Sequence, residues 1–400
     1  MNNLQKSIRI TYLAFIDEFR RVIRDPGAVL VLLGAMIIYP VIYSIAYKNN
    51  VLNEVPIAVI DSDKTSLSRK ASMMLDATEQ LNVTHTCTDM SEAQKLFWDN
   101  QVKGIVYVPK GFEKNAISGN QSDVSVYCDA SYFLIYKQTL SGCLGAIQTL
   151  SAGVEIKRMM AAGAGFNQAL AQRNPLSLQI KSLFNPGEAY GSYVMPGIIF
   201  IILQQTLLVG IGMVSGSRRE KKQSGHYLQS VKNNGHFLIV VLGRSFSYFF
   251  IYIFNIIFTL VYVYHWFGFP DKSMPFEIIV LLIPYVFAVI FLGLSISQIF
   301  SQREHSIMVL VFLSPIIMFL SGISWPAEAI PRPLYYLAHI FPSTTATPAY
   351  LRLRTMGVDL SFIEKEFFFT VGLMLIYLVT AVFSLKRAHN KIQAEKAIAA

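Results

Sequence analysis

The side chains that usually do chemistry are present in this 400-residue chain, but their spacing composes no catalytic or metal centre. A phosphate cradle of the form G-x-x-x-x-G-K-[ST] needs a Gly-Lys pair, and the chain contains none. G-x-S-x-G, H-E-x-x-H, C-x-x-C and G-x-G-x-x-G are equally missing. No His gathers acids around it at metal-ligand spacing. Asp61 and Asp63 close a short apolar run and predict a turn, with a ligand contact as the lesser reading. Cys87, Cys128 and Cys143 cannot make a disulfide scaffold. Cys87 and Cys128 end predicted neighbouring strands, which would allow one bridge and leave one thiol over.

The distinctive groups are polar side chains in apolar surroundings. Gln204, Gln205, Thr206, Asn255, Ser295, Ser297, Gln298 and Ser314 lie in charge-free runs, with His265 near the edge of one. None is a carboxylate, whereas a proton- or sodium-coupled pump usually places carboxylates in its spans. If this chain moves anything, the energy must come from a partner. Hydrophobic residues make up 53% of the chain and charged ones only 15%. That balance cannot solvate a globular surface of this size, and it excludes disorder. An integral membrane protein is the class that remains.

Positioning those groups requires helices of about 20 apolar residues, since a charge at the bilayer centre costs on the order of 3 kcal/mol. Six long charge-free intervals predict spans at 28–47, 193–214, 246–267, 278–300, 306–323 and 367–385. A seventh interval, Lys137 to Glu155, is studded with Gln138, Thr139, Ser141, Gln148, Thr149 and Ser151 and is rejected. The first span follows a leader too long, and is itself too long, for a removable signal peptide, so it reads as a retained anchor.

Lys and Arg set the orientation. With the N-terminus inside, the cytoplasmic segments are 1–27, 215–245, 301–305 and 386–400. The second of these carries Arg218, Arg219, Lys221, Lys222, Lys232 and Arg244 against Glu220 alone. The net charge of +9 therefore reports topology, with basic residues facing anionic headgroups, and needs no nucleic acid. In the first segment Ile8, Tyr12, Phe15, Ile16, Phe19 and Ile23 form an apolar stripe at helical spacing. Asp17, Glu18, Arg20 and Arg21 fall away from it, which predicts an in-plane interfacial helix.

Residues 48–192 then lie outside. Strands are predicted at Val55–Ile60, Leu81–Cys87, Gly104–Val108 and Val124–Cys128, with helices opened by Thr65 or Ser66 and by Ser91. This alternation describes a small α/β domain. A long helix from Tyr132 to Arg173, broken at Gly163 or Gly165, would stand out from the membrane. The fold class is thus a polytopic α-helical membrane protein with six spans, one before and five after an extracytoplasmic α/β domain. The five later spans occupy 193–385, and 386–400 is a cytoplasmic tail.

Two connecting segments stand out. The polar run from Arg218 to His226 is followed by Tyr227, Leu228 and Val231, at i, i+1 and i+4. A short amphipathic helix here could dock into a groove on a soluble protein or lie on headgroups. Residues 324–350 hold Trp325, Pro326, Pro331, Pro333, Pro342 and Pro348 among Leu334, Tyr335, Tyr336, Leu337, Ile340 and Phe341. A pair of short helices dipping back into the outer leaflet fits that mixture.

In order along the chain, Asp61-Ser62-Asp63, Val108-Pro109-Lys110-Gly111-Phe112, Phe184-Asn185-Pro186, Arg219-Glu220 with Gly225, Leu320-Ser321-Gly322 with Pro326, and Pro342 resemble landmarks of one family. It is the membrane (permease) subunit of type-2 ABC exporters, in the branch with a large extracytoplasmic domain and multidrug or lipid efflux members. The chain departs from it at His226, where the family often has Thr.

The resemblance implies a homodimer or heterodimer of permease subunits in the plasma (inner) membrane, driven by separate ABC ATPase subunits that carry the ATP and magnesium. This chain would bind no cofactor and hydrolyse nothing itself. It implies that Arg219, Glu220, Gly225, Tyr227, Leu228 and Val231 take the ATPase stroke. A substrate path near the second and fifth spans would use Gln204, Gln205, Thr206, Ser314 and Ser321. Trp325, Pro326, Pro331 and Pro342 would shape the re-entrant outer loop. A hydrophobic or amphipathic cargo is expected, and some relatives add a periplasmic adaptor and an outer-membrane duct. The competing readings are an envelope receptor or anchor acting through residues 49–190, and a membrane-embedded enzyme, which lacks a nucleophile–base or metal set.

Overall fold

The computed structural model describes residues 3–47, 52–176, 178–185, 189–221 and 234–399, in two compact units, Met1–Asn50 with Ser182–Ala400 and Val51–Lys181. The first unit opens with helix α1 (Asn3–Arg24), followed by α2 (Pro26–Ala46), the first of six helices among the described residues that are long and apolar enough to cross a membrane. Pro26 takes the first helical position, where no N–H is needed, and Asp25 caps it by accepting from the Gly27 and Ala28 amides at 3.0 and 3.1 Å.

The second unit is a four-stranded α/β fold. Its elements are β1 (Val55–Asp61), α3 (Ser66–Asp76), β2 (Leu81–Cys87), α4 (Met90–Trp98), β3 (Gly104–Val108), α5 (Phe112–Ser118), β4 (Ser125–Cys128), α6 (Phe133–Ala161) and α7 (Phe166–Arg173). The sheet order is β2-β1-β3-β4, with β4 antiparallel. Ile57, Val59 and Val106 meet Leu75 of α3 and Cys143 and Ala146 of α6 on one face. Ala58, Ile60 and Ile105 meet Ala93 of α4 on the other. The charge-free stretch between Lys137 and Glu155 thus buries an α6 face on this sheet. The long helix ends at Ala161 and resumes after Gly165, with Gly163 in the left-handed region.

Asp61 and Asp63 are turn residues. Asp61 accepts from the Asp63 and Lys64 amides, and Asp63 accepts from the amides of Gly111 (2.6 Å) and Glu113 (2.9 Å) at the start of α5, a helix the sequence reading lacks. The Cys87–Cys128 bridge that the strand ends would allow does not form. β2 and β4 are opposite edges of the sheet, with β1 and β3 between them, and all three cysteines are free.

The first unit continues with α8 (Tyr190–Glu220), α9 (from Asn234, through a π-helical stretch Phe258–Val263, to Phe267), α10 (Pro275–Ser297), α11 (Arg303–Leu320), α12 (Arg332–Ala338), α13 (Pro342–Leu351) and α14 (Glu364–Ala399). Helix α8 is the centre of the bundle. Its apolar window is 94% buried, against 17% for α11 and 22% for α14, which therefore form outer walls. Close approach needs small residues. A Cβ on Gly216 would lie 2.8 Å from the Arg303 backbone, so α8 and α11 touch main chain to main chain there.

Polar side chains inside the bundle tie helix to helix. Asn255 of α9 donates to the Leu32 carbonyl (2.6 Å) inside the π-helical turn Leu30–Gly34 of α2, where the regular ladder is broken. Phe200 of α8 stacks between Tyr285 of α10 and Tyr350 of α13, with centroids 4.1 and 4.5 Å away. The Tyr350 hydroxyl meets that of Tyr264 at 2.6 Å. Arg354, just past α13, lies 3.8 Å over the Tyr264 ring and donates to Asp271 at 2.7 Å. These contacts fasten α13, eight of whose ten residues are buried, into the core.

Candidate functional site

The most charged interior of the bundle lies where α8 and α10 finish and α2 and α11 begin. Helix α1 packs along α9 through Ile10, Ala14, Glu18 and Val22, one residue per turn on a single face, all buried. One residue departs from the expected division of faces. Ile8, Tyr12 and Ile23 of the apolar stripe are exposed, and Glu18, expected on the polar side, is fully buried. The reason is local to α9. Gly243 admits the α1 backbone so closely that a Cβ there would lie 2.5 Å from the Thr11 carbonyl oxygen. Glu18 is admitted to that otherwise apolar face because it has partners there.

Those partners are cations. Arg244 Nε donates to Glu18 Oε2 at 2.9 Å and Arg244 Nη2 to Oε1 at 3.3 Å. The Tyr248 hydroxyl donates to Oε1 at 2.7 Å, and Arg218 Nη2 donates to Oε2. Arg218 also faces Asp17 at 3.9 Å. Asp17 also accepts from Arg21 at 3.0 Å, so each carboxylate is compensated, the condition for keeping the charge of Glu18 out of water. Burial pushes the Glu18 carboxyl up, but Arg218 and Arg244, helped by the Arg244 and Tyr248 hydrogen bonds, outweigh it and lower its pKa to about 2.

The neighbouring cations are engaged in the same way. Arg219 donates to the Gln298 side chain (2.6 Å), to the Phe300 carbonyl (2.6 Å) and to the Gln298 carbonyl, which caps the end of α10. Arg303, at the start of α11, donates to Asp25 at 2.7 Å. Arg218, Arg219, Arg244 and Arg303 are thus not free to face headgroups as expected. They bolt the ends of α1, α2, α8, α9, α10 and α11 together.

Of the residues expected to take a partner's stroke, Arg219 is in this belt and Glu220 is exposed at the last position of α8. Gly225, Tyr227, Leu228 and Val231 lie outside the described residues, as does Pro186. The described chain enters that segment at Lys221 and leaves it at Asn234, so the belt holds the helices on both of its sides.

The expected path residues have different partners. Gln204 donates to the Ser343 hydroxyl and accepts from the Ser343 amide, both at 2.9 Å, which satisfies an orphan N–H in the first turn of α13. Thr206 pairs with the Tyr252 hydroxyl at 2.6 Å. Ser321 is buried and donates to the Met318 carbonyl, and Ser314 is half-buried on α11. Gln205 differs, since its buried amide has no hydrogen-bond partner among the described residues. Trp325, Pro326 and Pro331 are exposed beside short helical turns, and Pro342 is buried at the first position of α13. No group of His, Cys, Asp or Glu among the described residues could hold a metal ion.

Glu18, Arg244 and Tyr248 escape a reading by motif. One local signal points to them. Arg244 is the lone charge in an otherwise apolar run, and such a residue calls for a carboxylate partner.

Residues 28–383 match the family model described as ABC-2 family transporter protein. The match spans most of the chain, which therefore belongs to that family and is a membrane-embedded permease of an ABC transporter. No curated protein matches it.

Proposed function

We propose, on the premise of ABC-2 family membership, that this chain is an exporter permease that is driven by a separate ATPase subunit and works as a dimer. Its cargo is hydrophobic or amphipathic. One span precedes and five follow an α/β unit on the extracytoplasmic side, and both termini are cytoplasmic. The chain itself neither binds nor hydrolyses nucleotide, and ATP with magnesium belongs to the partner.

The observation that carries this reading is the Glu18 cluster. Residues 222–233 join α8 to α9, and Arg218 and Arg244 stand on either side of that join. Both guanidiniums hold the same buried carboxylate of α1. A push on the join by a soluble partner is therefore delivered to α1, α8 and α9 as one body. Packed elements with fixed charge pairs move together, whereas a flexible join would dissipate the push. Arg219 extends the connection to α10 and Arg303 to α2 and α11.

Co-purification tests the proposal. The full chain isolated from its native membrane should carry an ATPase subunit, and Leu228→Asp with Val231→Asp should remove that subunit and abolish ATP-dependent transport in vesicles. Nucleotide-driven transport by the chain alone, or transport untouched by those two changes, would reject it.

A further inference from the structure

Three π-helical turns of the first unit take no part in the arginine belt. They are Leu30–Gly34 in α2, Phe258–Val263 in α9 and Arg352–Met356 directly after α13. A π-turn carries more residues than the regular turn, and its ladder is broken. The Ala35 amide shows the wider spacing, donating to the Leu30 carbonyl. A carbonyl left over by a broken ladder finds no donor in apolar surroundings unless another element brings one.

Two of the turns receive such a donor. Asn255 Nδ2 reaches the Leu32 carbonyl at 2.6 Å, and Arg354 Nη2 reaches the Leu260 carbonyl. Asn255 stands on α9 just before the second π-turn, and the Thr259 hydroxyl joins the two by donating to the Asn255 carbonyl at 2.7 Å. Arg354 belongs to the third turn. Asp271 accepts from it at 2.7 Å, and the Lys272 amide donates to its carbonyl at 2.8 Å. The turns thus form a series in which each link is one side-chain donor. Asn255, Thr259 and Arg354 are all buried. Both donors are also only partly satisfied, since Asn255 Oδ1 and Arg354 Nε have no hydrogen-bond partner among the described residues. An unpaired buried group destabilises the arrangement that contains it and narrows the gap to an alternative.

We propose that Asn255 and Arg354 are the two catches of one hinge. While both are engaged, the three π-turns keep their shifted registers. When either lets go, the turns reset together, and the ends of α2 and α9 beyond them, Ala35–Ala46 and Tyr264–Phe267, swing. Ala35–Ala46 packs against Phe258–Val263, so a change of register in one helix is felt by the other. A fixed bend would need no such linkage, because proline or a local hydroxyl bends a helix by itself. The inference concerns this chain alone and rests on neither the ATPase nor the cargo.

Hydrogen exchange read by mass spectrometry, on the full chain in nanodiscs, tests the linkage. Peptides covering the three turns should share a common opening, while the buried interior of α10 stays protected. Arg354→Met should speed exchange roughly tenfold or more at 258–263 and, by a similar factor, at 30–34, a turn to which Arg354 donates nothing. Asn255→Leu should likewise speed exchange at 352–356, to which Asn255 donates nothing. Should Arg354→Met fail to fold, Asp271→Asn loosens the same catch from an exposed position and should give the same pattern at smaller amplitude. If each variant speeds only the turn that its own side chain bonds, the bonds are independent struts and the proposal is overturned. Unchanged exchange at all three turns overturns it too. Because no nucleotide or transport is involved, a failure here leaves the exporter reading standing, and the converse holds too.

Discussion

The Tyr248 hydroxyl lies 2.7 Å from Glu18 Oε1, a contact that spans 230 positions of sequence. It completes the ligation of a carboxylate that also accepts from Arg218 and Arg244, inside a helix interface where no water is needed to satisfy any of its lone pairs.

Removing that carboxylate strands two buried guanidiniums. Glu18→Ala should destabilise the chain by about 3–5 kcal/mol, the usual result of breaking a buried pair from one side. Thermal unfolding in detergent measures it. Glu18→Ala combined with Arg244→Met should recover part of the loss, because one stranded cation is gone. Equal losses from the single and double variants would show that the charges do not depend on each other.

The pH dependence follows from the same site. The Glu18 carboxyl is lowered from 4.5 to about 2 on folding, burial being outweighed by the two arginines. A depressed acid contributes its stability at every pH above its unfolded value and loses it as pH falls through its folded value. The gap in unfolding temperature between wild type and Glu18→Gln should therefore be constant above pH 4.5 and shrink between 4.5 and about 2. A gap that changes near neutrality would assign the titration to another group.

Gly243→Ala probes the seat of α1. The added Cβ would meet the Thr11 carbonyl oxygen at 2.5 Å, backbone that cannot swing aside. The expected cost is about 1–3 kcal/mol, as for other overpacked contacts. Trypsin should then cut sooner at Arg20, Arg21 and Arg24. Gly145→Ala, with nothing within 4 Å, is the control.

Gln204 and its neighbour should separate structure from transport. Gln204→Leu removes both bonds to Ser343 and leaves a buried amide N–H unpaired, for a loss of about 1–3 kcal/mol. Gln205→Leu removes an amide that lacks a partner among the described residues, so stability should hold or rise while transport in vesicles falls. Transport unchanged by Gln205→Leu would take that residue off the path.

Thiol chemistry should follow burial in the α/β unit. Burial pushes the Cys143 thiol up to about 12, and Cys87 is buried too. N-ethylmaleimide at neutral pH should modify half-buried Cys128 first and reach the other two only on unfolding. Electrophoretic mobility should not change with reductant. A mobility shift on reduction would contradict the sheet order.

Much of the architecture is legible along the chain because it is written in local terms. A charge left in hydrocarbon costs several kcal/mol, so charge-free intervals of sufficient length have to be spans. The strands of the α/β unit show through their alternation, and Thr65 shows through its cap on α3. Arg244 marks the limit of that logic. Treated as a boundary, it starts the third span at 246, whereas the helix is already formed at Asn234. The arginine is admitted because Glu18, 226 residues earlier, meets it.

The sequence by itself therefore determined the membrane class, the six apolar helices and the strands of the α/β unit, since each depends on neighbours a few positions away. Tertiary structure alone decided which face of α1 is buried, where the belt of arginines finds its partners, and which strand edges separate Cys87 from Cys128. Those outcomes include pairings between residues up to 278 positions apart, and no periodicity or spacing records a contact made across that distance.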